Sequence, residues 1–147
     1  MSLTKHIVPA VCAAVAAAGL SACQGGAEAG EADRKEPAVV EPVAGSTLSR
    51  VTVTEQAAER LGLTTVPVRD STGRGESMIP YGALLYDAAG HTWAYVETGR
   101  HTYVRERLNV AAIEGDDVYL RSGPADGEAV VSVGAIELYG AEVGIDH

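Results

Sequence analysis

The sequence predicts a mainly β fold, a small antiparallel sandwich- or barrel-like domain carrying one short helix. Three observations carry this. From Ser77 onward, short runs rich in Val, Ile, Leu, Thr and Tyr are separated by Gly-, Asp- and Pro-containing turn signals, the spacing of a small sandwich or barrel. Residues 101–112 alternate, with Val104, Leu108 and Val110 on one face and Tyr103, Arg105, Arg107 and Asn109 on the other, as expected of a half-buried antiparallel strand. Only residues 55–61 carry a full set of helix signals.

Taken in chain order, residues 51–53 read as a short strand. Thr54 can cap a helix that opens at Glu55, whose carboxylate suits the positive helix end, and Gly62 stops it after Leu61. Residues 63–68 are β-like, with Pro67 favouring a sheet edge, and 71–75 form a turn-rich connector. The expected strands beyond it are 77–79, 83–86, 92–97, 101–112, 118–121, 129–133 and 136–139. Turn signals at 87–90, 98–99, 114–116 and 123–127 separate them. Thr98-Gly99 reads as a two-residue hairpin loop that pairs Glu97 with Arg100 and Val96 with His101.

The N-terminus predicts where the protein resides. Lys5 and His6 lead into an apolar run from Ile7 to Leu20, too short to span a bilayer comfortably, and Leu20-Ser21-Ala22-Cys23 follows. This is the lipobox pattern of a bacterial lipoprotein signal. It implies cleavage before Cys23, lipidation of the Cys23 thiol, and a protein anchored to the extracytoplasmic face of the cell membrane. Residues 1–22 are then a leader, 23–47 the lipidated cysteine and a flexible Gly/Ala/Glu/Pro tether, and 48–147 the folded domain. Fully extended, the tether reaches about 80 Å.

Removing the leader leaves 125 of the 147 residues, enough for one domain. Cys12 departs with the leader and Cys23 carries lipid, so no disulfide supports the fold. With no Phe and one Trp, the core must come from Val, Leu, Ile, Ala and Tyr. The chain has 20 acidic against 11 basic residues, which argues against nucleic acid as a partner.

Catalytic patterns are not apparent. There is no Gly-x-Ser-x-Gly and no phosphate-cradling glycine loop, and Glu114, Asp116 and Asp117 surround a turn glycine as solvated acids do. His91 falls about 17 Å along the strand from the Val96–His101 pair, too far to share an ion with His101, and His147 is terminal. No cofactor or metal is expected. Arg100, His101, Arg105, Arg107 and Arg121 gather basic charge in an acidic chain. Two readings are open: cross-strand pairing with Glu97, Glu106 and Asp116, or a partner-binding patch of Arg100, Arg105, Arg107 and Arg121 for an acidic partner or lipid headgroups.

Five segments, in order, carry a family likeness: Val53-Thr54-Glu55-Gln56 with Leu61-Gly62 and Thr65-Val66-Pro67-Val68; Ile79-Pro80-Tyr81-Gly82-Ala83-Leu84; Trp93-Ala94-Tyr95-Val96; Ser122-Gly123-Pro124 with Gly127-Glu128, Val130-Val131 and Gly134-Ala135; and Glu137-Leu138-Tyr139-Gly140. Together, over residues 48–147, they resemble the C-terminal, membrane-proximal region of periplasmic adaptor (membrane fusion) proteins of resistance-nodulation-division efflux systems. Pro124 stands where the family usually has Leu, and neither the lipoyl half-motifs nor the long α-hairpin of typical adaptors is found. The resemblance implies a non-enzymatic subunit that assists efflux or other transmembrane transport by touching an inner-membrane transporter or another envelope protein. The alternative expectation is a stand-alone surface lipoprotein that binds a small ligand or cell-wall component, with Trp93, Tyr95 and Tyr103 as lining.

Overall fold

Thr54 caps the first helix as its sequence requires: its hydroxyl accepts the Ala57 N–H at 3.2 Å, and Gly62 closes the far end in the left-handed conformation (φ 63°). The computed structural model describes residues 36–144, so Cys23, the leader, most of the tether and His147 lie outside the described residues. In order, the chain forms β1 (Ala38–Pro42), β2 (Ser49–Val53), α1 (Glu55–Leu61), β3 (Thr64–Pro67), β4 (Arg69–Ser71) and β5 (Glu76–Pro80). A 3-10 turn (Tyr81–Ala83) leads to β6 (Leu85–Tyr86), β7 (Thr92–Gly99), β8 (Thr102–Arg107), β9 (Asn109–Glu114), β10 (Asp117–Ser122), β11 (Ala129–Val133) and α2 (Ala135–Val143).

Two antiparallel sheets result. One has the order β1-β2-β8-β7-β11-β3, with β6 also paired to β7; the other is β4-β5-β10-β9. The arrangement is a sandwich, not a closed barrel. Alternation along the shared strands builds two cores. Val51, Val53, Tyr95, Tyr103 and Val131 of the larger sheet pack with Ala57 and Ala58 of α1 and Ala135 and Leu138 of α2. On the opposite face, Ala94, Val96 and Val130 meet Ile79, Val118 and Leu120 of the smaller sheet. Burial on both faces explains why β7 and β11 are nearly continuous apolar runs.

Four expectations need correction. Order begins before Leu48: Ala38–Pro42 is a strand in regular register with β2, from Ala38 opposite Val53 to Pro42 opposite Ser49. The apolar pair Val39-Val40 between two prolines is too short to signal it. Second, residues 101–112 are two strands, because the chain leaves the larger sheet at Leu108 and enters the smaller one at Asn109. Leu108 turns into the inter-sheet core while Tyr103, not Val104, is the buried side chain of β8. Third, the β7–β8 loop is Arg100-His101, since Gly99 pairs with Thr102 and Glu97 with Tyr103. His101 there adopts φ 53°, uncommon for a residue with a Cβ. Fourth, residues 136–139 lie in the helix α2, so the domain has a second helix.

The 3-10 turn is held tightly to β11. A Cβ built on Gly82 would lie 2.6 Å from the Ser132 carbonyl oxygen, a backbone atom that cannot step aside. Gly82→Ala is therefore expected to lower stability by about 1–3 kcal/mol, the range for overpacking a tight contact, which chemical denaturation would measure.

Candidate functional site

The antiparallel register of β7 and β8 sets Trp93 opposite Arg107 and Tyr95 opposite Arg105. Both arginines lie by the Trp93 ring, with guanidinium carbons 4.9 Å (Arg105) and 5.3 Å (Arg107) from its centroid. Arg105 is also 5.1 Å from the Tyr139 ring of α2. Arg105 cannot be offered to a partner in this state. Its side chain is 13% exposed and that of its counter-ion Glu142 only 4%. Nη2 donates to Glu142 Oε1 at 3.0 Å, while Nε approaches Oε2 to 2.8 Å without the alignment of a hydrogen bond. The Tyr95 hydroxyl donates to that same Oε2 at 2.5 Å. Burial, then this bond to a carboxylate, push the Tyr95 phenol far above its ordinary value.

The other three arginines divide. Arg100 reaches Glu55 in the first turn of α1 at 2.7 Å, with both side chains well exposed, so solvent screens the pair. Arg121 donates to the Val110 carbonyl at 3.0 Å and Arg107 is exposed beside Trp93. The four predicted arginines therefore do not form one patch. Only Arg105 is withdrawn by burial. Arg100 stays exposed at the β7–β8 loop, apart from Arg107 and Arg121 on strands joined through β9, and an open polar groove of about 610 Å³ bounded by Arg107, Asn109 and Ser122 lies at that second corner.

The predicted aromatic lining is also divided. Tyr95 and Tyr103 are core residues, which removes them from any ligand surface. Trp93 is half-buried, with its ring N–H donated to Asp87 Oδ2 at 3.0 Å. Asp87 also accepts the backbone N–H groups of Ala89 and His91, at 2.9 and 2.8 Å, and contacts His91 Nδ1 at 3.0 Å. Burial opposes its charge, but the His91 and Trp93 donors outweigh that and hold the carboxyl well below its ordinary 3.8. A lowered acid stabilises the fold above its ordinary range and loses that contribution as pH falls toward its folded value. Asp87→Asn should thus lower the melting temperature at neutral pH, with the gap from wild type closing below about pH 4; thermal melts against pH would show it.

Among the described residues, no group of three or more His, Cys, Asp or Glu side chains stands close enough to hold a metal ion. Glu114 is taken by Arg74, at 2.8 and 3.3 Å, and the Asp116 carbonyl accepts the Tyr81 N–H at 2.8 Å.

The exposed apolar surface is the feature the sequence reading missed. Tyr81, Tyr86 and Ile136 are 49%, 52% and 61% exposed, and they line one open groove of about 550 Å³ with Leu84 and Ala135. Two segments separated by about fifty residues meet there because Gly82 lets the 3-10 turn abut β11. The signal available was composition: Tyr81 inside the turn-forming Pro80-Tyr81-Gly82 triplet and Tyr86 just before the Asp87–Gly90 turn. No family model, no curated protein and no solved structure matches this chain.

Proposed function

We propose that this protein is a lipid-anchored, extracytoplasmic, adaptor-like subunit that assists a transmembrane transport or efflux system by contact and performs no catalysis. The observation that carries the reading is the Tyr81–Tyr86–Ile136 groove. Its two walls are the Ile79-Pro80-Tyr81-Gly82-Ala83-Leu84 segment and the Gly134-Ala135 segment, both of which resemble adaptor proteins. A contiguous exposed apolar patch rimmed by polar residues is the usual mark of a protein–protein contact. Leu85 pairs with Trp93, and Trp93 with Arg107, so the exposed Arg107 lies two strand ladders away from the patch, across β7. The partner is an inner-membrane transporter or another envelope protein, with an acidic group opposite Arg107.

The Cys23 anchor would confine the domain to the membrane and raise its effective concentration near such a partner without new contacts. Wild-type protein is expected to take up labelled palmitate in cells and Cys23→Ala to take up none. Equal labelling of the variant would overturn the lipobox reading. Photo-cross-linkers placed at Tyr86 and Arg107 in cells should capture a membrane transport protein, and Ile136→Glu should abolish the adduct. Adducts to no protein would favour the stand-alone ligand binder instead.

A further inference from the structure

We propose that α2 is a displaceable latch: the trough it occupies is a receptor for a partner's amphipathic helix bearing a carboxylate, and Glu142 is the internal stand-in for that carboxylate. The seat is built for an acid. Arg105 and the Tyr95 hydroxyl converge on one carboxylate, flanked by the Trp93 and Tyr139 rings. The α2 helix fills its trough poorly. On one flank is an apolar groove of about 230 Å³ between α2, α1 and β1, with Val53, Ala57, Leu61, Leu138 and Ala141 among its walls. On the other flank lies the Tyr81–Ile136 groove. Close packing is the norm for a permanent core element, and here a bulkier helix would bury more.

The helix itself is weakly made. Its N-cap is Gly134, with no side-chain cap bond, Gly140 sits in its interior, and no basic residue supports its last turn. Of its nine residues, Ala135, Leu138 and the Glu142 side chain are the buried anchors. The ion pair suits a reversible contact. Removing one partner strands a buried charge, but lifting the whole helix returns both charges to water and recovers their solvation, so the net cost of parting is small. An incoming carboxylate that replaces Glu142 leaves Arg105 paired throughout. The inference deepens the contact-based reading above and rests on it.

The experiment uses the mature chain without any envelope protein, so its failure is separate from a failure of the cross-linking. Hydrogen exchange of the wild type should show α2 amides at least tenfold less protected than those of β7 and β8. The probe is a synthetic peptide of residues 134–144. Glu142→Ala chain should bind it saturably, at least tenfold more tightly than wild type does and tenfold more tightly than it binds the same peptide with Gln at 142. The double variant Arg105→Met/Glu142→Leu, in which apolar packing replaces the pair, should bind neither peptide. Two results would overturn the proposal: α2 and β7 amides exchanging through one common opening, or equal affinity for the Glu and Gln peptides. The first needs no variant, so a misfolded mutant cannot rescue the idea.

Discussion

Glu142→Ala should lower the unfolding free energy by about 3 kcal/mol, the lower end of the range for breaking a buried ion pair from one side. The Arg105 guanidinium is left with the Trp93 and Tyr139 rings beside it and no carboxylate, and the Tyr95 hydroxyl loses its acceptor. The loss stays at the low end because raising α2 rehydrates Arg105, and the cost cannot exceed that of lifting the helix. Arg105→Met/Glu142→Leu should instead be close to wild type in stability, since apolar replacements remove the desolvation penalty of both charges. Urea titration of the three proteins separates the outcomes. A single variant as stable as wild type would mean that solvent already reaches the pair.

Gly134→Ala should cost about 2–4 kcal/mol. Gly134 adopts φ 85°, and a Cβ there would overlap Leu63 Cδ2. The left-handed backbone alone disfavours a side chain by roughly 1–2 kcal/mol, and Leu63, packed against the helix-side core, must shift to make room, which adds about 1–2 kcal/mol. Far-ultraviolet dichroism with thermal denaturation would measure the loss. A variant matching wild type would show that the β11–α2 junction relaxes freely. Gly82 and Gly134 lie on opposite sides of the same groove, one held by a backbone approach and the other by a backbone angle.

The sheet content was legible because its cause is local. β-Branched runs between turn residues predict strands wherever they occur, and α1 announced itself through Thr54, Glu55 and Gly62, a cap, a dipole partner and a stop. What escaped depends on long-range contact. The Ala135–Val143 segment has no side-chain cap at its start and contains Gly140, so its helical state comes from Leu138 in the core and Glu142 on Arg105. β1 exists because β2 offers it a template. The basic patch failed for a related reason: strand alternation told which face Arg105 and Arg107 share, not that a helix some 35 residues later would cover one and leave the other open. The groove at Tyr81 and Ile136 needed the meeting of two distant segments, which one-dimensional periodicity does not encode.

The switch of one continuous chain between layers at Leu108, and again at Val68 between β3 and β4, ties the alignment of the two sheets together. A shift of β8 by one position would flip its inward and outward residues and drag β9 with it, so an error in either layer would disturb both cores. Misaligned forms of this domain are thereby penalised twice, and a cap only two layers of strand thick can keep one registration even where its closing helix lets go.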